Sequence, residues 1–238
     1  MNLIVFDIDG TMFLDNKASS EAFKNALLHL YDIMNYSTIW DNYRIGSDIG
    51  ILRYLYKEKY KSDLSWDELN RFQLYYYNEF VKICLLTDNK LIKVNGLEGI
   101  IDNIYKSDKW CLAIYSGGMK KVALKKLDIY GITERKYPIS TAEDGLLREE
   151  IFKSTVYKAK VIYNKEYFDN IILVGDSYQD IRVSKKLSIP MIGITTTMKR
   201  NDFLSAGISH TVDDYVDYKC FNNILSFLSE QGDKKCRL

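Results

Sequence analysis

Two carboxylates stand two positions apart directly after an uncharged run: Leu3-Ile4-Val5-Phe6 leads into Asp7-Ile8-Asp9-Gly10-Thr11. Residues i and i+2 of an extended segment project the same way, so Asp7 and Asp9 can share one small volume. Like charges so close repel, and each raises the other's pKa. A divalent cation, or a proton held by one acid, removes the conflict. Ser116-Gly117-Gly118 adds a hydroxyl and two glycines that let backbone N–H groups approach an anion. Gly175-Asp176-Ser177-Tyr178-Gln179-Asp180 adds two further acids, the second one helical turn beyond the first. If these segments are neighbours, four carboxylates, a hydroxyl and several N–H donors converge. Hard oxygen ligands with room for water suit Mg²⁺. A metal beside donors for an anion implies phosphoryl chemistry.

Each of these segments needs an element to carry it. Leu3–Phe6, Trp110–Tyr115 and Ile171–Val174 are apolar runs that read as strands buried on both faces, and the chemical residues follow each of them. Open α/β sheets bind ligands at such strand ends. Further strands are expected near Tyr137–Ile139, Met191–Thr195 and Thr211-Val212. Helical spacing is expected at Leu97–Ile104, Val122–Ile129, Ser154–Tyr163, Tyr178–Leu187 and Asp217–Leu228, with Gly131 as a left-handed cap. This alternation predicts a Rossmann-like α/β fold, a doubly wound parallel sheet with helices on both faces. Between Asp15 and Cys84 the pattern is helical throughout. Ser20 and Ser47 are expected to cap two helices, and Ser65 with Glu68 forms a capping box ahead of a third. The expected division is a core of residues 1–15 and 88–238 with a helical cap domain, 16–87, inserted after the first strand.

The chain has 238 residues, 47% hydrophobic, with a formal net charge of +1. That balance gives no electrostatic footprint for nucleic acid or an anionic membrane. Asp7 and Asp9 fall where a signal peptide would be apolar, and no uncharged run approaches a membrane span of roughly 20 residues. Cys84, Cys111, Cys220 and Cys236 form no C-x-x-C pair. Reduced thiols and a cytoplasmic location are the expectation. The sequence does not set the oligomeric state, and a monomer is compatible with it.

The combination of Asp7-Ile8-Asp9-Gly10-Thr11, Ser116, a Lys at a helix start and Gly175-Asp176-x-x-x-Asp180 resembles the haloacid dehalogenase-like hydrolase superfamily. The helical insert is similar to its type 1 cap, as in the phosphoglycolate phosphatase and β-phosphoglucomutase branch. The resemblance runs from Leu3 to about Asp214. It implies that Asp7 attacks phosphorus to form an aspartyl-phosphate. It implies that Asp9 protonates the leaving alcohol and then deprotonates the attacking water. Mg²⁺ would be held by Asp7, the Asp9 carbonyl and Asp176, with Asp180 ligating directly or through water. Ser116 and the Gly117 N–H, with Gly10 and Thr11, would bind the substrate phosphate. The active-site cation is expected to be Lys153, just before Ser154-Thr155, with Lys158 as the alternative. Asp180 can also act as a plain helix cap.

The resulting expectation is a Mg²⁺-dependent phosphatase for a small organic phosphomonoester. A phosphomutase of the β-phosphoglucomutase type is the alternative, and a catalytically weak protein binding phosphate ligands is the third. Cap residues Arg44, Arg53 and Lys57 could meet a second anionic group, and an aromatic of Tyr75-Tyr76-Tyr77 could reach the substrate.

Overall fold

The computed structural model describes residues 1–14, 17–37, 45–86, 91–132 and 137–231. Arg44, Cys236 and both expected domain boundaries lie outside them. Six parallel strands form one sheet in the order β3-β2-β1-β4-β5-β6. They are β1 (Asn2–Phe6), β2 (Trp110–Tyr115), β3 (Ile139–Ser140), β4 (Ile171–Gly175), β5 (Met191–Ile194) and β6 (Thr211–Val212). The first strand is central because its four apolar residues have no polar face to offer water, so both edges and both faces must be covered.

Alternation along the strands sends side chains to two cores. Ile4, Phe6, Leu112, Ile114, Ile172 and Val174 face one side. There they meet α4 (Leu97–Tyr105), α5 (Lys120–Ile129) and α9 (Tyr218–Gln231). Leu3, Val5, Ala113, Tyr115, Ile171 and Leu173 face the other. They pack against α6 (Arg148–Ile162), α7 (Tyr178–Leu187) and α8 (Arg200–Ser205). Register places Phe6 opposite Ile114 on β2 and Val174 on β4. The residues following all three strands therefore emerge at one edge of the sheet.

Between β1 and α4 the described chain holds three helices, α1 (Ala18–Tyr31), α2 (Asp48–Tyr60) and α3 (Trp66–Leu86). Ser47 caps α2, accepting the Gly50 N–H at 3.2 Å. Ser65 and Glu68 cap α3 reciprocally, at 3.1 and 3.2 Å. The first helix starts earlier than Ser20 suggests, at Ala18, after Lys17 in a left-handed conformation. The three helices share an aromatic core in which Phe72 is fully buried, 5.1 Å from Phe23 and 6.0 Å from Tyr31 between ring centroids. Met119 and Val122 of the core join this cluster, so the insert packs down onto the α5 end of the sheet. No described helix is long and apolar enough to cross a membrane.

One boundary differs in a way that matters for chemistry. The sixth helix begins at Arg148, not at Ser154. Glu150 turns back to accept the N–H groups of Leu146 and Leu147, each at 3.0 Å, and this satisfies donors that otherwise lack partners at a helix start. Lys153 is thereby carried into the second turn.

Phe72→Ala should remove about 3–5 kcal/mol of stability, the usual cost of emptying an aromatic site in a packed core. Urea unfolding followed by far-UV circular dichroism measures it.

Candidate active site

Asp7 follows β1 directly, and its N–H donates to the Val174 carbonyl at 3.0 Å, continuing the ladder with β4. That bond fixes its side chain beside Asp176. Carboxylate oxygens of Asp7, Asp176 and Asp180 all lie within 4.8 Å of one another, and all three residues are buried. Burial lifts the Asp7 carboxyl well above the usual range, Arg148 pulls it back, and Asp180 and Asp9 add to the rise. Asp176 is raised by burial first and then by Asp180 and Asp7, while Thr197 and Thr11 oppose. Gly10, at φ +77°, lets the loop after β1 close over Asp176; a Cβ there would lie 1.9 Å from Asp176 Oδ2.

The counter-charge is an arginine. Arg148 Nη2 donates to Asp7 Oδ1 at 2.7 Å and to Asp180 Oδ1 at 2.9 Å. Its guanidinium lies 4.5 Å from the centroid of the Tyr115 ring, on the strand beside β1. Three acids facing one guanidinium leave a surplus of negative charge in a buried, all-oxygen pocket. Asp7 and Asp176 therefore fit a hard divalent cation.

The expected residues divide into those brought together and those placed elsewhere. Asp7, Asp9, Gly10, Ser116, Gly117 and Asp176 line one cavity of about 320 Å³. The Ser116 hydroxyl accepts the Gly118 N–H at 3.0 Å, so the turn is wound around that oxygen. Asp180 joins the acidic cluster, but both its oxygens are engaged. Ser177 donates to Oδ2 through its N–H at 3.1 Å and its hydroxyl at 2.5 Å, while Arg148 and the Tyr115 hydroxyl hold Oδ1. The plain capping role is thus realised. Thr11 is buried away from the cavity and supports Asp176 instead, donating to Oδ1 at 3.0 Å.

Neither lysine assigned from the sequence reaches the acids. Lys153 is exposed on α6, because the helix starts six residues earlier than expected and turns that position outward. Lys158 donates to the Ile139 carbonyl at 2.8 Å and to Asp144 at 2.7 Å, tying α6 to the edge strand. Arg148 stands where a lysine was expected. The cap cations are also occupied elsewhere: Lys57 pairs with Asp63 at 2.9 Å, and Arg53 sits 5.9 Å over Trp66.

Above the strand ends the cavity is lined by Lys126 and Asp48, which were not expected there, and by Tyr76. Lys126 of α5 is buried and ion-paired with Asp9. Its ammonium lies 5.7 Å from the centroid of the Phe80 ring on α3. Asp48, at the start of α2, accepts the Met119 N–H at 3.1 Å. Desolvation pushes its carboxyl up to about 7, although Met119 and Lys126 oppose. Tyr76 lies against Asp48 and Ser19 and lines the cavity, as an aromatic from that triplet could.

The sequence model for haloacid dehalogenase-like hydrolases matches residues 4–194, and the chain belongs to that family. No curated protein sequence matches it. Among solved structures, a hydrolase from Pseudomonas syringae superposes with a TM-score of 0.69 at 17% identity, covering 95% of this chain and 99% of that one. A β-phosphoglucomutase candidate from Bacteroides vulgatus gives 0.66 at 14% identity, covering 97% and 91%. A predicted phosphoglycolate phosphatase from Haemophilus somnus gives 0.62 at 16% identity, covering 92% and 97%. The shared features are the parallel sheet and its flanking helices.

The raised Asp48 carboxyl has a consequence for stability. Between its ordinary value of 3.8 and about 7, the native state keeps a proton that the unfolded chain has released. That contribution to stability falls as pH rises through this window. Asp48→Asn removes the slope, so the unfolding free energy of the variant, relative to the parent, should increase from pH 5 to pH 8. Urea titrations at the two pH values measure it.

Proposed function

We propose that this chain is a Mg²⁺-dependent phosphatase that hydrolyses a small phosphomonoester through an aspartyl-phosphate on Asp7. The observation that carries this reading is Asp7 itself. A buried carboxylate at the end of the central strand, beside Asp176 and hydrogen-bonded to Arg148, opens into a cavity with Asp9 and Ser116 at its floor. Helices α1–α3 act as the cap, residues 16–87, over a core of 1–15 and 88–238.

Asp7 and Asp176, with the Asp9 carbonyl, would hold Mg²⁺, which when bound would supply charge neutralisation at the transferring phosphoryl group. The chain's own residues perform the remaining work. Arg148 favours the ionised form of Asp7 and offsets the repulsion an incoming phosphate would meet. The Asp7 oxygen attacks phosphorus and the bond from phosphorus to the ester oxygen breaks. The departing oxygen takes a proton from Asp9, which must enter this step protonated and so released from its ion pair with Lys126. In the second step Asp9, now a carboxylate, takes a proton from water as that water attacks the acyl phosphate. The bond from phosphorus to Asp7 breaks, releasing inorganic phosphate and restoring both acids. Ser116 and the Gly117 N–H bind the non-bridging oxygens of the phosphoryl group.

Asp7→Asn should abolish phosphate release from p-nitrophenyl phosphate and the formation of an acid-labile phospho-enzyme. Asp9→Asn should lower kcat by about 10²–10⁴, the usual worth of a positioned acid–base group. Release of inorganic phosphate, rather than an isomeric phosphate, separates this activity from a phosphomutase. Full turnover by the Asp7 variant, or by enzyme freed of metal with a chelator, would refute it.

A further inference from the structure

The cap half of the cavity has a chemistry distinct from its floor. Ser19 of α1, Asp48 and Ile51 of α2, Tyr76 of α3, and Val122 and Lys126 of α5 enclose the space beyond Asp9 where the alcohol part of an ester would lie. Two side chains there have unspent hydrogen-bonding capacity. The Ser19 hydroxyl is buried and makes no hydrogen bond of full geometry, although it lies beside the Tyr76 hydroxyl. Asp48 uses Oδ2 for the Met119 N–H and also meets the Tyr76 hydroxyl, and no cation forms a salt bridge with it among the described residues. A carboxylate accepts up to four hydrogen bonds, so Asp48 can accept several more.

Charge decides what can enter. Among the described lining residues the cations are Lys126 and Arg148, and each is committed: Lys126 to Asp9, Arg148 to Asp7 and Asp180. Asp48 therefore faces the leaving-group space as an acid without a direct cationic partner. An alcohol bearing its own carboxylate would meet Asp48 and Asp9 with Lys126 alone to offset both. One bearing a hydroxyl or an ammonium would donate to Asp48 and reach Ser19 and Tyr76. The apolar faces of Ile51 and Val122 fit its carbon skeleton. A volume of about 320 Å³, shared with the phosphate, restricts the guest to the small end of ordinary ligand pockets.

We propose that Asp48 is a specificity-determining residue that selects esters whose alcohol donates hydrogen bonds to it, and rejects those whose alcohol carries a second negative charge. This rests on the phosphatase reading above and goes beyond it, because that reading is indifferent to the alcohol. A second negative charge placed against an acid that lacks a direct cationic partner is disfavoured, because no counter-charge in the cavity is left to offset the repulsion.

Three two-carbon esters of nearly equal shape test it: ethylene glycol phosphate, O-phosphoethanolamine and 2-phosphoglycolate. Their distal groups are neutral, positive and negative. With the Mg²⁺-loaded full chain at pH 8, above the value of about 7 to which burial raises Asp48, kcat/KM for phosphoglycolate should fall at least about tenfold below the better of the other two, a difference of about 1.4 kcal/mol. Which of those two is better distinguishes a hydroxyl from an ammonium as the donor. Asp48→Asn keeps the size and removes the charge, and should narrow the gap to phosphoglycolate several-fold. The ratio is internal to each variant, so altered stability does not move it. If that variant does not fold, the parent's ranking alone decides. No discrimination against phosphoglycolate, whether all three are hydrolysed alike or none is, overturns the proposal. So does a gap unchanged in the variant. Hydrolysis of p-nitrophenyl phosphate, abolished by Asp7→Asn, shows separately whether the phosphatase reading stands.

Discussion

The architecture is organised around a confined electrostatic conflict: three buried carboxylates within 4.8 Å of one another at the end of the central strand, facing one guanidinium. At an effective dielectric constant of about 20, two unit charges at that distance interact by roughly 3 kcal/mol. No packing gain offsets several such terms by itself. The cluster persists because every acid is held by something rigid. Asp7 is in register with β4, Asp176 is fixed by Thr11 at 3.0 Å, and Asp180 is locked by the capping box of α7 and by Tyr115. The two cores on either face of the sheet keep those supports from relaxing. The raised carboxyls of Asp7 and Asp176 express what is left over, a demand for positive charge that Arg148 meets in part.

This arrangement explains why some of the site was legible in the sequence. Acids immediately after fully apolar strands have few structural uses, so Asp7 and Asp176 declared themselves. Their convergence followed from parallel pairing, which aligns strand ends. Ser47, and Ser65 with Glu68, were equally readable, because local capping bonds need no knowledge of the tertiary fold. Arg148 was not. It sits in the first turn of α6, a position where the helix dipole disfavours a cation, and its reason for being there is the distant Asp7. The Ser154-Thr155 pair resembled a helix start more closely than Leu147 did. The true start depends on Glu150 folding back, a bond that leaves only a faint trace in composition. Misplacing that boundary by six residues is what sent the cation assignment to Lys153. Asp180 shows the converse: one side chain satisfies both a local capping pattern and a place beside the metal-type acids, and a motif alone cannot rank the two.

Lys126 carried a clue. It falls four positions after Val122 on the apolar stripe of α5, where a charge would break the pattern unless it were paired. Its partner is Asp9, and its ammonium also lies near Phe80 on α3. Burying a lysine in this way is costly unless the partner is well placed. It therefore fixes both the acid and the floor of the cap.

The cap is joined to the catalytic floor by its first polar residues as well as by its aromatic core. The Asp48 N–H donates to the Gly117 carbonyl at 2.8 Å, while its carboxylate accepts from Met119 at the N-terminus of α5. Ser47 donates to the Leu146 carbonyl at 2.7 Å, one residue before the cap of the helix that begins with Arg148. The start of α2 thus touches two of the loops that carry catalytic groups. A ligand that pulls on Asp48 also pulls on the backbone around Ser116 and Gly117, and recognition of the alcohol cannot be separated from the seating of the phosphate. If Asp48 meets the alcohol as proposed, its displacement would disturb the turn at Ser116 and Gly117, so an acid at that junction would act as a filter. On the proposed reading, the cap would make a well-seated phosphate conditional on an alcohol that satisfies Asp48.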